Sequence, residues 1–147
     1  WNARGPGNVG GRTRALALDL DNENIILAGG VSGGLWRSTD TGASWTRVTL
    51  AEQNPGITTI VQDPRPGFTN IWYYSSGELF GNSANIIGGV YQGTGIYKST
   101  DSGLSWTRIE STNNLNVLSV DIFDYINDLA VSPLNGDLYF AAPHGVY

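Results

Sequence analysis

One segment occurs twice in this chain. Residues 34–48 read G-L-W-R-S-T-D-T-G-A-S-W-T-R-V, and residues 95–109 read G-I-Y-K-S-T-D-S-G-L-S-W-T-R-I. More than half of the positions are identical, and most of the others exchange similar side chains. A repeat constrains the fold strongly, because each copy adopts the same local structure and buries its apolar face against a neighbouring copy.

The repeat extends upstream of each copy as short apolar runs. These runs are bounded by Gly, Pro, Asn and Asp, which is typical of strands and turns rather than of a helical period. The predicted strands lie near 13–19, 24–30, 34–39 and 44–49 in the first unit, near 57–62, 70–76, 95–100 and 105–110 in the second, and near 126–132 and 137–142 in the third, where a further strand begins at 145.

Four antiparallel strands per unit, repeated at about 40 to 50 residues, indicate the blades of a β-propeller. We therefore expect an all-β fold with blades at 1–50, which begins with a glycine-rich loop, at 51–110 and at 111–147. A closed ring needs about four to eight blades. The sequence thus predicts an incomplete fragment of about two and a half blades, with the third blade truncated, from a longer protein or held by a partner.

Composition narrows the possible partners. The 20 glycines and the 14% of charged residues suit short strands and tight turns, and 40% hydrophobic residues suffice for a core. A net charge of -5 lacks the basic surface that phosphate binding requires, so we expect no nucleic-acid partner. No apolar run approaches the roughly 20 residues of a transmembrane helix. The chain has no Cys and no Met, so we expect that a segment has been removed upstream.

The sequence S-T-D-x-G-x-S-W predicts a tight turn. Asp40 and Asp101 are expected to accept hydrogen bonds from backbone N–H groups that follow them, and Gly42 and Gly103 to adopt positive φ. Trp45 and Trp106 are expected to cover these turns. A calcium loop is the alternative, but D-x-G lacks the alternating oxygen ligands of such a loop. We therefore predict no metal and no cofactor.

Two copies of this motif resemble the Asp-box, or BNR repeat, of sialidase-like and sortilin-like propellers. The resemblance covers essentially the whole chain at the level of blades. It implies that the boxes are structural and lie on the face of the ring opposite the active or binding site.

Several other motifs do not support catalysis. Residues 5–10 match G-x-G-x-x-G but lead into a strand run rather than a helix, and the Lys of a phosphate-binding loop is absent. The single histidine, His144, cannot supply a histidine metal site or a Ser-His-Asp triad. Asp19, Asp21 and Glu23 are interpreted as a solvated turn rather than a cation site.

Catalysis by carboxylates, as in glycoside hydrolysis, remains to be considered. The first unit resembles xyloglucan-cleaving glycosidases. This resemblance implies a catalytic Asp shortly before a Gly-Gly-x-Tyr-Arg run. Here the run is G-G-L-W-R at 33–37, and the position of that Asp holds Val31. Sialidases carry an early Arg in a Phe-Arg-Ile-Pro motif, which the surroundings of Arg12 and Arg14 lack. We predict no catalytic residue in this chain.

The second unit carries a long loop between its second and third strands. Leu16 to Trp36 spans 20 positions and the matched stretch from Ile60 to Tyr97 spans 37, so the second unit has 17 more residues. The loop runs over 77–94 and is expected to leave the sheet on the face opposite the box turns, where propellers bind ligands. Long loops on rigid scaffolds often carry function.

We predict a ligand-binding surface for a glycan or protein partner, formed by Glu78 and Tyr91 of this loop with Arg12 or Arg14 of the first unit. The alternative is an insertion that packs on its own blade. A long connection also runs from Thr107 to Asp128, with 117–125 as a further packed segment.

The chain is similar to the large Asp-box propellers of secreted or surface bacterial proteins, many of which lack catalytic residues. That resemblance implies a non-catalytic extracellular module for glycan or protein interaction. Its partner is then a glycan, another protein or the remaining blades of the same protein. The alternative is a glycoside hydrolase, sialidase-like or xyloglucanase-like, whose catalytic residues lie partly outside this fragment. An intracellular assembly factor with similar repeats is a third possibility.

Overall fold

The computed structural model describes residues 12–53, 55–77, 92–113, 121–143 and 145–147. Within these ranges the regular structure is almost entirely β, with one turn of 3₁₀ helix over Glu110–Thr112. No helix in the described ranges is long and apolar enough to cross a membrane. The strands are β1 Thr13–Leu18, β2 Ile26–Gly30, β3 Gly34–Ser38, β4 Thr46–Arg47, β5 Ile57–Gln62, β6 Trp72–Ser76, β7 Ile96–Ser99, β8 Thr107–Arg108, β9 Asp128–Val131, β10 Leu138–Ala142 and β11 Gly145–Val146.

The strands form three antiparallel sheets in which consecutive strands are neighbours. The first sheet contains β1 to β4, the second β5 to β8, and the third β9 to β11. This confirms the predicted all-β class with four-stranded antiparallel sheets of propeller type. Strands β4 and β8 are only two residues long, shorter than the predicted 44–49 and 105–110, because each box turn occupies the chain up to its Trp.

The sheets pack face to face through two apolar clusters. The first cluster joins the first and second sheets, and its buried members are Ala15, Leu27, Leu35, Ile57, Trp72, Tyr74, Tyr97 and Trp106. The second joins the second and third sheets, with Tyr73, Ile96, Ile126, Leu129 and Val131 buried. Successive residues of a strand point to opposite faces. Strand β6 therefore sends Trp72 and Tyr74 to one cluster and Tyr73 to the other, and all its residues are buried.

Polar side chains also connect neighbouring sheets. The side chain of Gln62 accepts a hydrogen bond from the Leu20 backbone at 2.9 Å, and the Arg37 Nε donates to the Ser102 carbonyl at 3.0 Å. Arg65 pairs with the buried Asp63 at 2.7 Å and donates to the Asn135 carbonyl at 2.7 Å. The hydrogen bond from Arg65 holds the pKa of Asp63 below its usual value despite burial.

Candidate binding groove

The first strands of the three sheets lie side by side. Strand β5 contacts β1 on one side and β9 on the other. The beginnings of these strands enclose a groove of about 410 Å³, which we call the first-strand groove. It is lined by Arg14, Ala15, Leu16, Thr58, Thr59, Ile60, Asn127 and Asp128. Residues far apart in the sequence therefore meet at one end of the sheet array.

Two β-bulges shape this groove. The pairing of β1 with β2 skips Arg14, and the pairing of β5 with β6 skips Thr58. These two residues occupy the same position in the repeat, since β5 follows β1 by a constant offset through both strands. An extra residue at a bulge redirects its side chain and increases the local twist. Repetition of the bulge indicates that it is a feature of the repeat.

The polar rim of the groove is built around Asp128. Its Oδ1 accepts hydrogen bonds from Thr59 Oγ1 at 3.0 Å and from the Leu129 backbone at 2.9 Å. Asp128 and its neighbour Asn127 are exposed, and the Asn127 backbone is fixed by donation to the Ala141 carbonyl at 2.7 Å. Strands β5 and β9 are thus joined through a carboxylate that remains open to solvent.

The groove lies at the end of the sheets from which the long loop leaves. Thr13 at the start of β1 pairs with Gly30 at the end of β2, whereas the box turn follows the end of β3. In the second sheet the Thr58 hydroxyl donates to the carbonyl of Gly77, the first residue of the loop. The groove and the loop base therefore share one end, and the box turns occupy the other.

The base of the loop is fastened to the segment that precedes β9. The Gly93 backbone donates to the Asp124 carbonyl at 2.8 Å, and Gln92 Nε2 donates to the Asp124 carboxylate at 3.2 Å. Asp124 is fully buried, and Phe123 packs on the second apolar cluster. These contacts agree with the expectation of a packed segment over 117–125, of which 121–125 is described.

The predicted site residues are only partly represented in the described ranges. Arg12 and Arg14 are exposed at the groove end, and Arg14 lines the groove itself. Glu78 and Tyr91 lie outside the described residues, as do 5–10 and His144. Sequence reasoning did not single out Thr58, Thr59, Asn127 or Asp128. The available signal was their alignment with Arg14 and Ala15 at the start of each repeat's first strand.

The box turns have the hydrogen-bond pattern of a structural device. In the first box Asp40 accepts from Ser38 Oγ, the Ser44 backbone and Ser44 Oγ at 2.6–2.8 Å. Gly42 has φ of 83°, and Trp45 Nε1 donates to its carbonyl at 3.1 Å. The second box repeats these contacts around Asp101, Gly103 and Trp106. The predicted roles of the Asp, Gly and Trp residues in these turns are confirmed.

Hydrogen bonding keeps both box carboxylates ionised. The bonds from the Ser44 side chain and backbone, followed by that from Ser38, lower the pKa of Asp40 to about 2. For Asp101, partial burial raises the pKa, but hydrogen bonds from Ser105, Ser99 and Leu104 outweigh this effect and lower it to about 2. A carboxylate held in this way serves as an acceptor for its turn rather than as a catalytic acid.

The other acidic turn is also organised by local hydrogen bonds. Asp19 Oδ1 accepts from the backbones of Asp21 and Asn22 at 2.8 and 3.0 Å, in agreement with its interpretation as a turn. Val31, at the position of the expected glycosidase Asp, is buried. Among the described residues no group of three or more His, Cys, Asp or Glu side chains is placed to hold a metal ion.

No family model matches the chain. A xyloglucanase from Paenibacillus sp. is 34% identical over 152 aligned residues, covering 95% of this chain and 14% of the relative. Xyloglucanase Xgh74A from Acetivibrio thermocellus is 35% identical over 115 residues, covering 70% of this chain and 13% of the relative. The crystal structure of a GH74 enzyme from Niastella koreensis has a TM-score of 0.57 at 26% identity, covering 90% of this chain and 18% of that one.

The homologues of this chain are GH74 xyloglucanases. The chain spans 14% of the length of the Paenibacillus xyloglucanase. The similarity to the Paenibacillus xyloglucanase extends over 95% of this chain.

Proposed function

We propose that this chain is part of an extracellular bacterial Asp-box propeller that binds glycans without cleaving them. In this proposal the blades are residues 1–50, 51–110 and 111–147, and further blades of the same protein complete the ring. The glycan contacts the groove end of the sheets, where Arg12 and Arg14 lie together with Glu78 and Tyr91 of the long loop.

The observation that carries this proposal is 34% identity to a xyloglucanase over 95% of the chain. The groove end suits such a ligand, because the described groove lining combines guanidinium, hydroxyl, amide and carboxylate groups with apolar side chains. Ligand sites are commonly concave, largely apolar and equipped with a few placed polar groups.

The absence of catalysis in this proposal rests on the carboxylates. Glycosidases use two carboxyl groups about 5 to 10 Å apart. In the described lining of the groove the one carboxylate is Asp128, and Val31 stands where the glycosidase resemblance implies an acid. A buried apolar side chain at that position has no means of transferring a proton.

A glycoside hydrolase is the second candidate, and the names of the homologues favour it. Its acids would then lie in parts of the protein beyond this chain, which spans only 14% of the Paenibacillus xyloglucanase. Both candidates share binding of a neutral glycan and differ in bond cleavage.

Calorimetric titration and a reducing-end assay with xyloglucan separate the two. We expect the full-length protein to bind xyloglucan oligosaccharides and to release no reducing ends from the polymer. Release of reducing ends would favour the hydrolase. Failure to bind xyloglucan, cello-oligosaccharides or other neutral glycans would overturn both candidates.

A further inference from the structure

The three repeats differ where their first strands line the groove. At one aligned position they carry Arg14, Thr58 and Asn127, and at the next Ala15, Thr59 and Asp128. The position that follows is apolar in all three: Leu16, Ile60 and Leu129. Leu129 is buried and Ile60 partly buried between sheets, whereas Leu16 is exposed. The chemical variation lies at the two preceding positions, which also line the groove.

Asp128 is an unusual choice for the first position of a strand. Aspartate is disfavoured in strands, and the equivalent Ala15 shows that the repeat folds without a polar group there. The hydrogen bonds from Thr59 and Leu129 both end on Oδ1. Within the described part of the chain they account for one oxygen of the carboxylate, so Oδ2 can accept a further hydrogen bond.

The described lining of the groove carries one charge of each sign. Arg14 contributes a positive group on β1 and Asp128 a negative group on β9, with the threonines of β5 between them. An anionic ligand is repelled by Asp128 and a cationic one by Arg14. A neutral ligand with several hydroxyl groups matches both, since each hydroxyl donates one hydrogen bond and accepts others.

Apolar groups in the groove complete the match. Ala15 and Ile60 line it beside the polar rim. A sugar ring presents C–H groups as well as hydroxyls. Its C–H groups can pack against these apolar side chains while its hydroxyls form hydrogen bonds with the polar rim.

We infer that the first-strand groove is a binding site for a neutral sugar ring, with Asp128 accepting a ligand hydroxyl and Thr59 positioning that carboxylate. Arg14 and Asn127 bind further hydroxyls. This inference rests on the proposed glycan binding and adds residues of β5 and of the start of β9 to the contacts proposed there.

The test is binding of a xyloglucan oligosaccharide by full-length Asp128→Asn, measured by calorimetry. The substitution keeps the shape and an acceptor for Thr59 but removes the charge. We expect the dissociation constant to rise about tenfold, because hydrogen bonds to charged groups are the strong ones. The matched control is Glu23→Gln, which removes an exposed carboxylate in the turn between β1 and β2, at the opposite end of the sheet, and should leave binding unchanged.

Two further measurements keep the result decisive. Asn127→Ala alters an exposed side chain and should weaken binding by a smaller factor with an unchanged melting temperature. An oligogalacturonide, which is acidic, should bind wild type more weakly than the neutral oligosaccharide does. Asp128→Asn should reduce the difference in dissociation constant between these two ligands.

Each outcome has a separate meaning. Unchanged affinity in both Asp128→Asn and Asn127→Ala, with wild type still binding, overturns the groove site and leaves the proposed glycan binding intact. A wild type that binds no neutral oligosaccharide overturns both. If Asp128→Asn fails to fold, loss of binding in folded Asn127→Ala supports the site, and retention of binding there overturns it.

Discussion

Each box turn concentrates hydrogen-bond donors on one carboxylate: three on Asp40 and four on Asp101. The residue before the glycine, Thr41 or Ser102, also adopts positive φ, near 58° and 59°. Left-handed backbone is costly for a residue with a Cβ, so it persists only where surrounding contacts enforce it. The carboxylate and its serines supply those contacts, so the charge of the Asp is coupled to the conformation of the turn.

We predict that stability falls as these carboxylates are protonated. Their pKa values are lowered from 3.8 to about 2 in the fold, so the stabilisation is complete above about pH 4 and is lost as the pH falls toward 2. Asp101→Asn should be less stable than wild type at pH 7 and should lose less further stability between pH 4 and pH 2. Urea unfolding across this range measures both effects, with Glu23→Gln as the control. Parallel pH profiles for wild type and Asp101→Asn would contradict the prediction.

Tyr74 and Tyr97 form a pair with different polar surroundings. Their rings stack at 4.6 Å, and Tyr97 Oη lies 2.9 Å from Thr94 Oγ1. The buried Tyr74 hydroxyl has no hydrogen-bond partner among the described residues. Burial, and then the charge of Tyr97, raises the pKa of Tyr74 above its usual range. The two hydroxyls therefore contribute oppositely to the folded state.

We expect Tyr74→Phe to raise the free energy of unfolding by about 1 kcal/mol, because it removes an unsatisfied buried hydroxyl. Tyr97→Phe should lower it by about 1 kcal/mol, since it breaks a hydrogen bond and leaves Thr94 without that partner. Denaturant unfolding of the two variants, which remove the same atom from stacked rings, gives the comparison. Equal effects of the same sign would show that the hydroxyl environments do not differ as described.

At the scale of elements, two glycines fit the base of the long loop against Asp124. Gly77 has φ of 96°, and a Cβ there would lie 2.0 Å from the Asp124 carbonyl oxygen. A Cβ on Gly93 would meet the Ser76 oxygen at 2.2 Å and the Asp124 oxygen at 2.7 Å. Backbone atoms cannot yield as a flexible side chain does, so the close approach requires glycine.

Gly93→Ala should therefore destabilise the protein by about 2 kcal/mol through overpacking. Gly33→Ala is the matched control, because the nearest atom to its new Cβ is Trp36 Nε1 at 3.8 Å. We expect that variant to stay within about 0.5 kcal/mol of wild type. Chemical denaturation reports the difference, and a Gly93→Ala protein as stable as Gly33→Ala would disprove the tight packing at Asp124.

The strands were predictable from the sequence, whereas the groove was not. Alternating apolar runs between turn residues predict the bounds of β1 and β5 accurately, since side-chain period and turn chemistry are local properties. The bulges at Arg14 and Thr58 depend on register with a partner strand, which a single run does not encode. The meeting of Arg14 with Asp128 depends on how three sheets pack. Arg14 was predicted, with Arg12, as a candidate ligand-binding residue, but the residues that face it across the groove depend on the tertiary arrangement.

On the scale of the whole molecule, the second and third sheets each have one face that packs on the preceding sheet. On the second sheet this face includes Gln62 and Tyr97, and on the third it includes Leu129 and Val131, all of them buried. The aligned residues of the first sheet, Leu16, Leu18 and Trp36, are exposed. Large contiguous apolar surface is uncommon on proteins unless it is an interface. The repeat thus indicates the kind of partner that suits this face: another sheet of the same type.

We predict that a further sheet of the full-length protein covers this face. Leu18 is 55% exposed in the described structure, and Leu134, in the turn between β9 and β10, is 92% exposed. Placing a charge in an interface leaves it desolvated, so Leu18→Lys should lower the free energy of unfolding of the full-length protein by about 2 kcal/mol or more. Leu134→Lys should change it by less than about 0.5 kcal/mol, as expected for a surface position. Chemical denaturation of the two variants decides the matter, because equal small effects would mean that the first sheet faces solvent in the complete protein.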